Sequence, residues 1–455
     1  GLSFAFADVQ AKLRYDFTPR QSGSLTLIAG DSRLRELPEE VDESDLFVGN
    51  NRSAVLIAGW RTTLGRGVLD AGVMAALNAF DNHTIEGVGL EEGATDQISV
   101  RTDLDVALAH GVRLETGLLA EQVEETRERR RIVGGAPVTI NTYRGSALRS
   151  GGYLRVELDA GPRLTFAPGA RIDHLTLTGD TQGSPWIQAE LKLPRRVTVR
   201  AASGIYRQFP DFEKAIGAFA AADIRAERAV HADVSLEHRI SPATRVQLTL
   251  YNRDDSHVIR RPGADTRVVD GHVVRGSLTD PFVNRARGYA RGVELLVQRT
   301  SPTALSGWVS YAYGRNRYED TLTADTFWGD LDQRHTLNAY VFYRFSHRFS
   351  ASAKFRAGSN FPVPGYYTYD AGQYFLTDQR NTARLPGYAR LDLRANRTFD
   401  WTRRRLTLFV EVLNVLNREN VRFNPPRINS ATREVTRLFD SLVPVVPSAG
   451  LLFEF

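Results

Sequence analysis

Charged side chains that could bind an ion or take part in acid–base chemistry are clustered at three places in the sequence. An acidic stretch runs from Glu36 to Asp45, a basic cluster from Arg127 to Arg131, and Asp332-Gln-Arg-His335 combines a carboxylate, a guanidinium and an imidazole. Clustered carboxylates suit divalent cations, and clustered arginines suit phosphate or another anion. For the first two clusters a solvated loop is the favoured interpretation. For the third cluster we expect a salt-bridged rim where a strand leaves a loop.

Sequence signatures of enzymes and cofactor sites are missing from the chain. Cysteine is absent, and the nine histidines are not paired at metal-ligand spacing. There is no Walker loop, no Gly-x-Ser-x-Gly elbow and no dinucleotide fingerprint. The net charge is only +5, without a basic stripe, which disfavours a nucleic acid as partner. We therefore predict no catalytic residue, no metal site and no cofactor, and we do not expect an enzyme.

The elements that position these charged groups are predicted by an alternation of apolar and polar residues. From Val9 to Phe17 every second residue is apolar, and the same period recurs from Ile98 to Leu108 and from Ala389 to Ala395. Period two is typical of a β-strand with one face in apolar surroundings and the other in water. We count 19 such segments, centred near residues 10, 27, 57, 74, 103, 116, 155, 170, 189, 201, 233, 249, 292, 310, 339, 354, 392, 410 and 450.

Short and long connections follow one another between these segments. Short ones include Thr18–Gly23, Leu64–Gly67, Ala109–Gly111, Ala160–Arg163, Leu193–Arg196, Ile240–Thr244, Thr300–Ala304, Phe345–Arg348 and Phe399–Arg404. The intervening ones are Asp31–Arg52, Asp81–Thr95, Glu125–Ser150, Thr178–Ser184, Pro210–Arg228, Asp254–Arg287, Tyr318–Leu331, Ser359–Pro386 and Asn417–Arg437, all long except Thr178–Ser184. Short turns at one end and long loops at the other are typical of outer-membrane barrels.

These patterns predict an all-β fold, a transmembrane antiparallel up-and-down β-barrel that occupies residues 1–455 as one domain. No run of about 18 apolar residues exists, so no transmembrane helix is predicted. The mean hydropathy of −0.30 is compatible with a barrel, because its polar lumen face dilutes its lipid face. A soluble propeller would repeat every 40–50 residues or so, and no such repeat is found.

Two long connections contain further candidates. Glu213–Ala226 has Ile216, Phe219, Ala220 and Ile224 at helical spacing, which predicts a loop helix. The connections from Pro210 to Pro386 are rich in aromatic residues and arginines. The candidate ligand contacts among them are Tyr366, Tyr367, Tyr369 and Tyr374.

Several motifs resemble those of TonB-dependent receptors. Glu411-Val-Leu-Asn-Val-Leu-Asn-Arg-Glu-Asn420 is similar to the family's penultimate-strand motif, and Asp332-Gln-Arg-His335 to its Asp-x-Arg-His. Further resemblances are Arg287-Gly-Tyr-Ala-Arg-Gly-Val-Glu294, Gly204-Ile-Tyr-Arg-Gln-Phe-Pro210 and Gly358-Ser-Asn-Phe-Pro362. Asn414 and Asn417 are expected to satisfy backbone groups at the upper rim. The final strand, in which Leu451, Phe453 and Phe455 share one face, resembles the signal read by the outer-membrane assembly machinery.

The resemblance implies an outer-membrane receptor for energy-coupled uptake of a scarce small ligand, of the siderophore, cobalamin, glycan or peptide class. Its implied partners are outer-membrane lipid and lipopolysaccharide, the extracellular ligand, and an inner-membrane energy-coupling complex. A 22-stranded barrel surrounding an N-terminal plug is also implied. With 19 strands counted, we expect the plug and about three strands to precede Gly1. The alternative is a passive porin-like channel, in which long loops fold inward and no plug is needed.

Overall fold

The computed structural model describes residues 2–36, 45–277, 279–301, 305–424 and 426–455. Its main feature is one antiparallel sheet built by nineteen long strands, which confirms all 19 predicted segments. In chain order the strands are β1 (Leu2–Thr18), β2 (Gln21–Glu36), β3 (Val48–Leu64), β4 (Gly67–His83), β5 (Gly89–Ala109), β6 (Val112–Val133), β7 (Ala136–Asp159), β8 (Leu164–Leu175), β9 (Asp180–Leu193), β10 (Val197–Gln208), β11 (Glu227–Ser241), β12 (Thr244–Arg260), β13 (Val283–Arg299), β14 (Leu305–Asp320), β15 (His335–Ser346), β16 (Phe349–Gly358), β17 (Tyr388–Trp401), β18 (Arg404–Leu413) and β19 (Val446–Glu454).

Each strand pairs with the strand that precedes it in the chain, so the sheet is an up-and-down meander. A three-residue strand, Thr326–Trp328, adds to the upper end of β14. Within the described residues, β1 pairs only with β2 and β19 only with β18, so the sheet has two free edges. No helix in the described part of the chain is long and apolar enough to cross a membrane.

The two faces of the sheet differ as period two requires. One face presents large apolar side chains to the surroundings, among them Leu13, Ile98 and Leu250, which are 67%, 59% and 55% exposed. The other face carries ion pairs between an arginine and an acid two residues away on the same strand. These pairs are Arg101–Asp103, Arg171–Asp173, Arg253–Asp255 and Arg390–Asp392, each with a 2.6 Å nitrogen–oxygen distance. The first face is therefore the lipid face, and the second is the lumen face.

Glycine on the lumen face makes room for an aromatic ring. A Cβ added to Gly292 on β13 or to Gly314 on β14 would lie 2.5 Å from the hydroxyl oxygen of Tyr251 on β12. At Gly292 the added atom would also lie 2.4 Å from the carbonyl oxygen of Tyr313, so a larger side chain there would require the backbone to shift. Gly292 belongs to one of the family-like motifs, and the contact with Tyr251 gives a packing reason for it.

Two of the predicted long loops are largely β-strand, which corrects their boundaries. Residues 81–95 turn within 84–88, and residues 125–150 turn only at Gly134-Gly135. Both glycines have positive φ, 61° and 80°, as a two-residue type I′ hairpin requires. β6 and β7 have 22 and 24 residues, whereas a tilted membrane strand needs about 9–11. Their ends therefore stand outside the membrane, where water on both faces removes the need for alternation.

The predicted loop helix is much shorter than its pattern suggested. The helix α1 (Phe212–Ile216) begins after Asp211, whose side chain accepts a hydrogen bond from the Lys214 amide, and it ends at Gly217. Gly217 is extended, with ψ at 172°, so the helix stops after five residues. Phe219 and Ile224 are nevertheless buried, which shows that the apolar spacing reflected packing of an irregular segment.

Candidate functional site

A hydrophobic core lies in the long connections at one end of the barrel. It joins residues from the β12–β13, β16–β17 and β18–β19 loops and is called the loop core here. Its buried members are Val268, Val363, Tyr367, Leu376, Ala383, Val435 and Leu438. Short strands support it: Arg267–Val269, His272–Val274, Tyr367–Asp370, Gln373–Leu376, Val421–Phe423, Arg427–Ile428, Glu434–Thr436 and Phe439–Ser441. Three loops that are far apart in sequence are thereby packed into one layer.

The four candidate tyrosines all lie in this layer but in different surroundings. Tyr367 is 8% exposed within the loop core, and burial raises the pKa of its hydroxyl to about 12. Tyr374 packs edge-on against Phe439, with 5.1 Å between ring centroids, and lies 4.8 Å from Tyr369. Tyr369 is 59% exposed. Tyr366 lies beneath two guanidinium groups, those of Arg267 and Arg380, each 5.9 Å from its ring centroid.

A polar junction ties the loop core to the loop after β14. Arg380 forms ion pairs with Asp265 and with Asp330, the latter at 3.3 Å. Burial opposes the charge of Arg380, but the two carboxylates raise its pKa above the ordinary value. The buried Asn381 side chain donates to the carbonyl oxygen of Trp328 at 2.6 Å and accepts from the Gly365 amide at 3.1 Å. The four loops are therefore joined by hydrogen bonds as well as by apolar contacts.

Beneath this junction a cleft of about 310 Å³ opens at the upper lumen wall. Its lining combines aromatic rings with charged groups of both signs, including Arg260, Tyr318, Phe327, Asp330 and Arg380. The Arg260 guanidinium lies 4.6 Å from the centroid of the Phe327 ring, and Tyr318 stacks on the same ring with 6.1 Å between centroids. Such a cleft suits a flat, polar ligand that stacks and forms charge-assisted hydrogen bonds.

Sequence reasoning did not identify the residues that line this cleft. Arg260 is the last residue of β12 and Tyr318 lies near the end of β14, while Phe327 and Arg380 lie in separate loops. No motif or local spacing links them, because strand pairing and loop packing alone bring them together.

The Asp332 motif forms a salt-bridged rim, as predicted. The fully buried Asp332 carboxylate pairs with Arg334 at 3.4 Å and with Arg384 of the β16–β17 loop. Its other oxygen accepts a hydrogen bond from the Asn316 amide at 2.9 Å. His335 points elsewhere, and its Nδ1 lies 2.8 Å from the Tyr311 hydroxyl. The three motif residues therefore do not converge on one reacting centre.

Asn414 and Asn417 satisfy backbone groups, which confirms that prediction. The side-chain amide of Asn414 donates hydrogen bonds to the carbonyl oxygens of Arg418 and Val443 at 3.0 and 3.2 Å. Asn417 accepts from the Val445 amide at 3.2 Å. Both asparagines have positive φ, 52° and 44°, a conformation that asparagine tolerates better than most residues.

The remaining clusters lie apart from the cleft. Arg127 and Arg129 both pair with Glu91 at 2.8 Å on the protruding part of β5 and β6. Most of the acidic stretch, residues 37–44, lies outside the described residues. At the C-terminus Leu451, Phe453 and Phe455 are 68%, 46% and 97% exposed, on or directly after β19. Their role in assembly stays a prediction.

With the barrel and its loop layer described, comparison with known proteins decides the family. The sequence profile described as "TonB dependent receptor-like, beta-barrel" matches residues 3–415. This chain belongs to the TonB-dependent receptor family. Receptors of this family are outer-membrane proteins and not enzymes, so the chain is placed in the outer membrane. No curated protein matches the chain in sequence.

Solved structures of TonB-dependent receptors share the fold. The outer-membrane transporter YddB of Escherichia coli is 13% identical with a TM-score of 0.70, covering 100% of this chain and 69% of YddB. FpvA of P. aeruginosa, solved with a heterologous pyoverdine, is 11% identical with a TM-score of 0.74, covering 100% of this chain and 65% of FpvA. A variant of the ferric enterobactin receptor PfeA of Pseudomonas aeruginosa is 15% identical with a TM-score of 0.70, covering 100% and 70%. At these identities the likeness establishes the receptor's fold only.

Proposed function

We propose that this chain forms the wall and the outer loops of a receptor that takes up a small ligand across the outer membrane with energy from an inner-membrane complex. The observation that carries the proposal is the cleft beneath the loop layer, in which Arg260, Phe327 and Arg380 converge from separate elements. A rigid loop layer above a lumen-facing cleft suits capture of a scarce ligand, because preorganised groups lose little entropy on binding.

The cleft favours a ligand with flat or aromatic parts and with polar groups at its edge. A siderophore, a cobalamin, a glycan and a peptide all remain candidates, since the lining carries both charge signs. Among the four candidate tyrosines, Tyr369 is the exposed one, and Tyr366 lies beneath Arg380, which lines the cleft. Tyr367 would act by holding the loop core in place.

The free edges of β1 and β19 support the further proposal that additional strands of the protein close the barrel. Unpaired backbone N–H and C=O groups are not tolerated in lipid. Three strands would complete the 22 that the resemblance implies, and a plug inside the lumen would couple transport to the energy complex. Intact mass of the native protein, extracted from outer membranes, tests this: a mass equal to that of residues 1–455 would contradict it.

Uptake measurements in cells test the transport proposal. Cells that express the native receptor are supplied with a panel of labelled ferric siderophores, cobalamin, oligosaccharides and peptides. We expect one class to be taken up, and uptake to stop when the energy-coupling complex is deleted. Uptake that continues unchanged without the complex would contradict this proposal and would show that the protein acts as a passive channel.

A pair of substitutions in one loop tests the role of the cleft. Phe327→Leu keeps apolar volume but removes the flat ring, and we expect it to weaken binding of the transported ligand about two- to tenfold, since stacking contributes about 0.5–1.5 kcal/mol. Leu322→Ala is the matched control, because Leu322 is 75% exposed and does not line the cleft. Equal binding by both variants, measured by fluorescence titration, would remove the cleft from the proposal.

A further inference from the structure

A cluster of arginines lies on the lipid face, directly beyond the apolar rows of β12, β13 and β14. Paired residues in successive outward rows are Leu248, Leu295 and Tyr311, then Leu250, Val293 and Tyr313, then Asn252, Arg291 and Arg315, then Asp254, Tyr289 and Arg317. The first two rows are apolar or aromatic, and the next two carry three guanidinium groups. The change occurs toward the loop end of the strands, at the level where lipid tails give way to headgroups.

The arginines of this patch are only partly neutralised by the protein. Arg291 pairs with Asp254 at 3.4 Å and lies 4.5 Å above the Tyr289 ring. Arg317 donates to the Thr326 hydroxyl at 2.6 Å and lies 5.2 Å from the Trp328 ring. Arg315 is exposed, and no contact with an acid is found for it in the described part of the chain. Among the described residues, Asp254 is therefore the one carboxylate paired with these three arginines, since Glu319 in the next row is paired with Arg287.

An apolar trough begins beside the same row of the sheet. Asn252 continues the row of Arg291 and Arg315 onto β12, and it pairs with Ala232 on β11. The trough has a volume of about 420 Å³, and its lining includes Ile187, Ala201, Ala232, Val234 and Leu250. Small alanine side chains form its floor between larger apolar walls. A cationic patch next to an apolar trough on a membrane-facing wall is complementary to an anionic amphiphile.

We propose that Arg291, Arg315 and Arg317 bind a phosphate group of lipopolysaccharide in the outer leaflet, with an acyl chain in the neighbouring trough. Arginine suits this role because its planar guanidinium meets phosphate oxygens with two parallel hydrogen bonds. The patch also lies on the wall, whereas the proposed ligand cleft opens to the lumen, so the lipid site is independent of transport. Bound lipid would stabilise the upper ends of β12 to β14 beneath the loop layer.

The test compares two lipids and two sets of substitutions in the purified full-length receptor. The probes are detergent-solubilised lipid A with its phosphates and the same lipid after dephosphorylation, and native mass spectrometry counts the bound lipid. We expect Arg291→Gln combined with Arg315→Gln to weaken binding of phosphorylated lipid A at least tenfold, since each hydrogen bond to a charged group contributes appreciably. Dephosphorylated lipid should bind the native protein about as weakly as phosphorylated lipid binds the variant.

Arg287→Gln is the matched control, because Arg287 lies one row further out on β13 and is already paired with Glu319 at 2.8 Å. It should bind lipid A nearly as the native protein does. Arg315→Lys, which keeps the charge, should retain more binding than Arg315→Gln, and heat-modifiable gel migration verifies that each variant is folded. Equal binding of both lipids, or an equal loss in Arg287→Gln, would overturn the proposal, whatever the uptake measurements show.

Discussion

The barrel wall and the loop layer bury their residues in different ways. A wall residue such as Leu250 is 55% exposed in the protein and is covered by lipid, whereas Leu376 in the loop core is 3% exposed and is covered by other loops. The wall is therefore specified by local alternation and by pairing with the next strand. The loop layer depends on contacts between segments that are far apart in the sequence, such as those that contain Val268 and Leu376. Changes in one region should leave the other largely intact.

The largest expected effect is on the loop layer. Leu376→Ala leaves a cavity in a small core, which costs about 2–5 kcal/mol for a buried leucine. We expect the β12–β13, β16–β17 and β18–β19 loops to become sensitive to protease together, while the barrel retains its heat-modifiable migration. Leu322→Ala, at an exposed loop position, is the control. Cleavage confined to the β16–β17 loop would show that the three loops do not fold as a unit.

A charge on the lipid face should affect the wall alone. Leu248→Arg places a guanidinium in the central apolar row of β12, facing lipid, and costs about 2–4 kcal/mol at the bilayer midplane. Thr249→Arg is the matched control, since the adjacent residue faces the polar lumen. Urea unfolding in lipid vesicles measures both variants. Similar losses for the two would contradict the assignment of the faces.

Alkaline pH should open the loop layer before it disturbs the wall. Burial raises the Tyr367 pKa to about 12 from the ordinary 10.0, so the folded loops favour the neutral hydroxyl. This stability is fully present below pH 10 and is lost as pH rises from 10 toward 12. Hydrogen exchange of the loop amides measures the opening, which Tyr367→Phe should shift to higher pH. An unchanged midpoint in Tyr367→Phe would assign the opening to other groups.

The two regions were also unequally predictable. All 19 strands were predicted, because each long strand carries its own period-two pattern wherever one face meets lipid. The prediction of strand length failed where neither face of the strand meets lipid. The upper parts of β6 and β7 have water on both faces, so they lack the alternation, and their hairpin was interpreted as a long loop. The helix prediction failed because Gly217 ends α1, although its apolar residues are buried as expected.

The candidate site was predicted only in outline. The tyrosines were placed correctly in the outer loops, but their different roles depend on burial: Tyr367 is inside the loop core and Tyr369 is exposed on the same short strand. Asp332 was expected at a rim, and its charge partner Arg384 lies 52 residues away. The local spacing of residues does not predict such a pairing between distant positions.

By itself the sequence determined the class of fold, the nineteen long strands of the described sheet, the identity of its lipid face and its family resemblance. Each of these follows from residues that are adjacent or two apart, because a β-strand turns alternate side chains to opposite faces. Tertiary structure alone decided which loops share a core, how Arg260, Phe327 and Arg380 meet at one cleft, and how Arg291, Arg315 and Arg317 form one patch on the wall. These groupings are set by strand register and by packing between distant segments, neither of which is encoded in local spacing.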